Sequence, residues 1–256
     1  MVKKILPLFP EHLFYVEPFG GGAAVLLNKK PSRNDVYNDL DSRLVNFFRT
    51  MRDPELFKEF YTQISLMPYS REEYYAARDR MADAVDFFVV ARMSFSGIFG
   101  GGWGRAQEAT SKSMSMVVGG WLSTIKRLPD FHERLLKVQI ENKDWRDILD
   151  DYHGKAWLAY LDPPYVLGTR VRKSIYQSEM ADDDHRELVE KALDYRGSVV
   201  VSGYEHEIYK PLDRKGWTKH NFEAACYAAG CTSKTAELSK PRRIETVWVK
   251  DAYAQS

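Results

Sequence analysis

Leu13-Phe14-Tyr15-Val16-Glu17-Pro18-Phe19-Gly20-Gly21-Gly22-Ala23 runs from an apolar stretch through an acid and a proline into three consecutive glycines. Leu13 to Val16 reads as a buried strand, and a helical pattern follows the glycines. Glycine lets the backbone turn sharply and approach a ligand closely. Strand, glycine loop and helix in this order is how an open α/β sheet holds a nucleotide-like cofactor, outside the carboxyl ends of its strands. A glycine loop alone is a weak signal. It gains weight from Asp39, which closes a second apolar run at Asp35 to Tyr37. An acid there can accept hydrogen bonds from both hydroxyls of a ribose. Loop and acid together predict a cofactor site without choosing the cofactor.

Working outward, Lys137 to Ile140, Trp157 to Leu161 and Ser198 to Val201 are further short apolar runs. Each ends in a polar or glycine-rich segment, and helical patterns separate most of them. The alternation predicts an α/β fold, a doubly wound, mostly parallel sheet of Rossmann-like type. Trp217 to Phe222 and Ile244 to Val249 also read as strands. No clear helix lies between them, so they are expected as an antiparallel hairpin at one edge. Helices are expected at Ser42 to Met51, Pro54 to Gln63, Arg71 to Arg80, Ala84 to Met93 and from about Ala181.

The stretch 52–133 breaks the alternation and reads as a mainly helical insertion, leaving 1–51 and 134–256 as one domain. Its basic and acidic residues nearly cancel, but unevenly. From Arg92 to Arg127 there are five basic residues against one acid, Glu108, beside the glycine-rich run Gly97 to Gly104. Arg105 and Lys112 in that stretch suit a loop lying against phosphates. A plain surface loop is the equal alternative. The aromatics Tyr74, Tyr75, Phe87 and Phe88 are read as core.

Composition narrows the class. The chain has 256 residues, 44% of them apolar, and a net charge of +1, so a nucleic-acid partner would need a local patch. Two cysteines, Cys226 and Cys231, lack zinc-finger spacing and are expected as reduced thiols of a cytoplasmic protein. No apolar run reaches the roughly 20 residues that span a bilayer, and the start lacks a signal-peptide pattern. Asp182-Asp183-Asp184-His185 has metal-ligand residue types. Three acids in a first helical turn are what the helix dipole favours, however, so no metal site is expected there.

Asp162-Pro163-Pro164-Tyr165 carries the chemistry. It directly follows the apolar run Trp157 to Leu161, so it falls at the same sheet edge as the glycine loop. The lone pair of adenine N6 is delocalised into the ring and is a poor nucleophile. The Asp162 carboxylate and the Pro163 carbonyl can accept both N6 hydrogens and help the nitrogen become tetrahedral. Paired prolines stiffen the loop. Tyr165 offers an aromatic face to a base rotated out of a duplex. Base–aromatic stacking is worth ~1–3 kcal/mol.

With these motifs in hand, the sequence resembles the Dam-type (D12 class) DNA adenine-N6 methyltransferases. The resemblance lies in Tyr15 to Ala23, Asn38-Asp39-Leu40 and Leu161 to Tyr165, with weaker support from Asn142-Lys143-Asp144-Trp145 and Glu245-Thr246-Val247-Trp248. The order of glycine loop, insertion and then Asp-Pro-Pro-Tyr resembles the family's α-group, where the insertion recognises the target DNA. The resemblance implies S-adenosylmethionine as cofactor. Glu17, Pro18, Phe19, Gly20 and Gly22 would hold its methionine part, Asp39 its ribose, and Asp144 with Trp145 its adenine. Asp162, Pro163 and Tyr165 would hold the target adenine.

Double-stranded DNA is the implied partner, acted on by a monomer, with a cognate restriction enzyme compatible with such an activity. Arg170, Arg172 and Lys173 follow the tetrapeptide and read as phosphate contacts beside the base. Family members carry a Gly-Gly-Lys motif ahead of the helix that here begins near Lys3, and this sequence has no counterpart. That departure keeps a DNA-binding homologue without activity as an alternative. N6 methylation of RNA adenine is another.

Overall fold

The sheet is built from runs that are apolar on both faces, as parallel strands covered on both sides must be. The computed structural model describes residues 1–111, 113–166, 180–214, 216–225 and 242–254. The chain divides into two compact units, Met1–Asp41 with Val138–Ser256, and Ser42–Lys137.

The first unit holds a seven-stranded sheet. Its strands are β1 (Phe14–Glu17), β2 (Asn34–Asn38), β5 (Val138–Glu141), β6 (Trp157–Leu161), β7 (Ser198–Tyr204), β8 (Trp217–Ala225) and β9 (Arg242–Lys250). The spatial order is β5-β2-β1-β6-β7-β9-β8. The first five are parallel to their neighbours, and β9 runs antiparallel to both β7 and β8. The expected doubly wound sheet with an antiparallel edge hairpin is therefore present. The strand order reverses between β1 and β6, and it is at the carboxyl ends of such a switch point that open α/β sheets hold ligands.

Alternation assigns the two faces. Val16, Val36, Ala159, Leu161, Val199 and Val201 point to one side. There they pack with Ile148 and Leu149 of α8 (Trp145–Asp151) and with Leu188, Val189 and Ala192 of α9 (Asp182–Asp194). Tyr15, Glu17, Tyr160 and Asp162 therefore share the other face. On that face the Phe9 ring lies 5.9 Å from Tyr15 and 5.7 Å from Tyr160. Two short helices, α1 (Val2–Ile5) and α2 (Ala24–Asn28), complete this end of the unit.

The second unit consists of α3 (Ser42–Arg52), α4 (Pro54–Leu66), α5 (Arg71–Arg80), α6 (Ala84–Met93), α7 (Met116–Leu135) and a small hairpin, β3 (Thr110–Ser111) with β4 (Met114–Ser115). Caps begin three of the helices: the side chains of Asp53, Ser70 and Asp83 accept backbone N–H groups at the starts of α4, α5 and α6. The core is aromatic. Phe47 meets Phe60 at 5.8 Å, Phe87 at 5.6 Å and Phe88 at 5.9 Å, and Phe88 meets Trp121 at 5.6 Å. Tyr74, Phe87 and Phe88 are buried as read from the sequence, whereas Tyr75 is exposed. Helix α7 was not foreseen, because Gly119, Gly120 and Pro129 are local breakers. Burial of Trp121, Ile125, Leu128 and Leu135 along one stripe outweighs them.

Lys29 and Asp35 form an ion pair of 2.7 Å with both side chains out of water, and the Lys29 ammonium sits 4.4 Å from the centre of the Tyr15 ring. Removing one partner strands a buried charge, which costs ~3–5 kcal/mol. Asp35→Ala is expected to lower unfolding stability by that amount in urea or guanidinium titrations.

Candidate active site

Glu17 ends β1 with its side chain fully enclosed. Its Oε2 accepts the Tyr15 hydroxyl at 2.9 Å and the Leu26 N–H at 3.2 Å. Burial pushes the Glu17 carboxyl up to about 8; the Tyr15 hydroxyl opposes the rise and the charge of Asp162 adds to it. The β1–β6 pairing and the alternation along both strands put Glu17 and Asp162 on the same side of the sheet.

The glycine turn is stitched to the loops beside it. The Gly20 N–H donates to the Asn38 carbonyl at 2.8 Å, and the Gly21 N–H donates to Asp39 Oδ2 at 2.8 Å. The Tyr37 hydroxyl donates to the Gly21 carbonyl at 2.8 Å. Asn38 Nδ2 donates to the carbonyls of Pro18, at 2.9 Å, and Lys143, at 3.0 Å, while its Oδ1 accepts the Lys143 N–H at 2.9 Å. Asn142 Nδ2 adds a bond of 2.7 Å to the Asp39 carbonyl. One buried amide thus ties together the loops after β1, β2 and β5.

Gly20 is required by close approach: a Cβ there would lie 2.1 Å from Tyr37 Cε2 and 2.9 Å from the Asn38 carbonyl oxygen. Gly21 has φ +48°. Nothing lies within 4 Å of a Cβ built at Gly21 or Gly22, so the space over the turn is open. Asp39, half-buried, has its carboxyl raised by burial, against the N–H donors of Asp41 and Gly21.

Asp144 and Trp145 occupy the neighbouring loop, with much of their bonding capacity already used. Asp144 caps α8, accepting the Arg146 N–H at 2.9 Å and the Arg146 guanidinium at 3.2 Å. The Trp145 indole is buried, with the partly exposed Phe19 ring 6.1 Å away and the Arg146 guanidinium 4.4 Å from its centre. Arg146 also pairs with Asp184 at 2.5 Å and Glu187 at 2.7 Å. Asp184 accepts the Ala181 N–H at 2.9 Å, and His185 is buried with Nδ1 2.9 Å from the Tyr209 hydroxyl. The acidic run at the start of α9 is thus used in capping and pairing.

Register brings in a residue that the motifs do not reveal. Leu161 pairs with Val201, so Asp162 comes beside Ser202. The Ser202 hydroxyl donates to Asp162 Oδ1 at 2.9 Å and lies 3.0 Å from the Tyr160 hydroxyl. Burial pushes the Asp162 carboxyl up to about 6; the Ser202 hydrogen bond holds it down and the charge of Glu245 on β9 adds to the rise. Pro163 is buried, and the half-buried Tyr165 ring is 4.6 Å from that of Tyr204 at the end of β7.

Of the residues expected to meet nucleic acid, Arg105 is exposed on the second unit. It borders a cavity of about 280 Å³ with Tyr69, Arg92, Ser94 and Trp121. The glycine-rich run is pinned there by the Tyr69 hydroxyl on the Gly104 carbonyl at 2.5 Å and the Phe95 N–H on the Gly102 carbonyl at 2.7 Å. Lys112, Arg170, Arg172 and Lys173 lie outside the described residues. Among the described residues no cluster of His, Cys, Asp or Glu is placed to hold a metal ion. Among them, too, no helix is long and apolar enough to cross a membrane.

The mostly parallel sheet, with a glycine turn and carboxyls at its strand ends, is a Rossmann-like α/β architecture. The chain belongs to the D12 class N6 adenine-specific DNA methyltransferase family, whose pattern matches residues 1–220. No curated protein matches the sequence. Among solved structures, a conserved hypothetical protein from Streptococcus pyogenes aligns over 97% of this chain and 92% of its own, at 10% identity and a TM-score of 0.34.

Two outcomes follow from this geometry. Gly20→Ala is expected to destabilise the fold by at least ~1–3 kcal/mol, since Tyr37 and the Asn38 backbone must both shift; thermal or denaturant unfolding checks it. For Glu17, the folded chain keeps a proton that the unfolded chain, with an ordinary carboxyl near 4.5, releases. Stability from this group is therefore greatest below that value and falls as pH rises toward about 8. Glu17→Gln is expected to flatten the decline in Tm across that window in a pH series.

Proposed function

We propose that the protein transfers a methyl group from S-adenosylmethionine to N6 of an adenine turned out of duplex DNA, at particular sequences. The single observation that carries the reading is the juxtaposition of Glu17 and Asp162. Glu17 ends β1 and Asp162 follows β6, its parallel neighbour, on the same face, and the Asp162 charge bears on Glu17.

The donor set suits the cofactor. Glu17 offers a buried carboxyl that a neighbouring ammonium would help to ionise, Asp39 is an acceptor for ribose hydroxyls, and open space lies over Gly21 and Gly22. The Asp144–Trp145 turn, with Phe19 against Trp145, forms the wall beside Asp39. S-adenosylmethionine, when bound, supplies an activated methyl group. The chain's own residues prepare the acceptor. Asp162 Oδ2 and the Pro163 carbonyl take the two N6 hydrogens, drawing the nitrogen lone pair out of the ring. Tyr165, steadied by Tyr204, stacks on the base. Asp162 then holds the proton that leaves N6. Catalysis on this reading is positioning and fixed charge, with no covalent enzyme intermediate.

The second unit serves as the target-recognition insertion. Arg105 and Lys112 there, and Arg170, Arg172 and Lys173 after the tetrapeptide, would contact phosphates and set register on the duplex. The family's activity on DNA favours DNA over RNA.

Tritiated S-adenosylmethionine with unmethylated bacterial DNA tests the reading directly. Asp162→Ala is expected to lower transfer about 10²–10³-fold with folding intact; unchanged transfer would refute the site. Asp162 must be ionised to accept hydrogen bonds. Wild-type kcat is therefore expected to fall as pH drops through about 6.

A further inference from the structure

We propose that Ser202, oriented by Tyr160, is a positioning residue that fixes the rotation of the Asp162 carboxylate and presents its other oxygen to the substrate amine. The inference rests on the methyl-transfer reading of the Asp162 site. It goes beyond that reading by assigning work to two residues outside the glycine loop and the tetrapeptide.

Three observations converge. The Leu161–Val201 register makes Asp162 and Ser202 neighbours on adjacent parallel strands, so their contact is set by backbone pairing and not by loop conformation. Ser202 is itself enclosed, and its Oγ lies 2.9 Å from Asp162 Oδ1. A serine hydroxyl has one proton; spent on Asp162, it leaves the oxygen lone pairs for the Tyr160 hydroxyl at 3.0 Å. Tyr160 is buried and its ring is packed against Phe9. The chain Tyr160 to Ser202 to Asp162 thus runs one way, from a rigid aromatic to the reacting end, and leaves a half-buried carboxylate with a donor in place.

Other titratable groups face Asp162 from each neighbouring element. They are Glu17 from β1, Tyr160 on its own strand, Tyr209 from the segment after β7 and Glu245 from β9. Of these, the charge of Glu245 disfavours a charged Asp162. The Ser202 donor works in the opposite direction, because a hydrogen bond to the ionised form favours ionisation.

The test uses the full-length chain, with methyl transfer to unmethylated bacterial DNA followed from pH 5 to 9. Ser202→Ala, Ser202→Thr and Tyr160→Phe are compared with wild type. Ser202→Ala is expected to reduce kcat with little change in KM for DNA, and to move the acid limb up by about one pH unit. Ser202→Thr, which keeps the hydroxyl, is expected to restore the limb, and Tyr160→Phe to move it by less. A purely structural role would lower activity evenly at all pH values. In parallel, the Asp162 carboxyl is titrated by carbon-13 NMR, identified by its loss in Asp162→Asn. An unchanged Asp162 midpoint in Ser202→Ala overturns the inference, whatever the activity. A wild-type protein that methylates no DNA, yet shows the expected midpoint shift, instead overturns the methyl-transfer reading. Should Ser202→Ala fail to fold, Tyr160→Phe carries the same comparison.

Discussion

Two carboxyls, Glu17 and Asp162, stand on one face of a parallel sheet, the first fully buried and the second partly so, and everything nearby answers to that. Burial alone makes a charged carboxylate expensive, and a second one close by makes it more so. The fold meets this chiefly with hydroxyl donors. Tyr15 serves Glu17, and Ser202, backed by Tyr160, serves Asp162. Each donor comes from a strand interior, where backbone pairing fixes its position. Lys29, paired with Asp35, adds a smaller favourable charge at Glu17. The site therefore keeps two carboxyls with raised affinities for protons, one protonated near neutral pH and the other ionised.

The crevice itself depends on a different device. Three loops leave neighbouring strands at one edge, and Asn38 binds them with backbone-directed amide bonds. A small amide can do this because it offers donors and an acceptor in one plane without carrying charge. Gly20 completes the device by letting the Tyr37 ring lie against the turn. With the loops pinned to each other, the open space over Gly21 and Gly22 is a property of rigid backbone, which is what a pre-formed ligand site needs.

The second unit solves its own problem separately. Its helices close around stacked phenylalanines and Trp121. Exposed groups such as Arg105 are thereby left without a structural duty among the described contacts of that core. Asp86, fully buried, is held by Arg80 and by the Ala82 N–H at 2.9 Å. The unit can thus vary its surface without disturbing its packing.

How much of this was legible in the sequence follows the range of the physics. The β1 and β6 runs, the glycine turn after Glu17 and the Asp-Pro-Pro-Tyr stretch were readable because strand periodicity, glycine geometry and proline stiffness act over a few residues. Family membership followed from those same local patterns. Helix α7 was hidden because its glycines and proline speak against a helix locally, while the stripe from Trp121 to Leu135 is paid back only by tertiary burial. Trp145 carried no sign that its ring would be enclosed beneath Phe19 and Arg146. Ser202 is separated from Asp162 by 40 residues of chain and belongs to no motif. Only strand register, a consequence of the whole sheet closing, could bring that hydroxyl to that carboxylate. Sequence alone thus determined which residue types stand at the ends of the strands. Tertiary structure decided which of them are dry, which are already bonded and which remain for a ligand, because those properties depend on partners that no local segment contains.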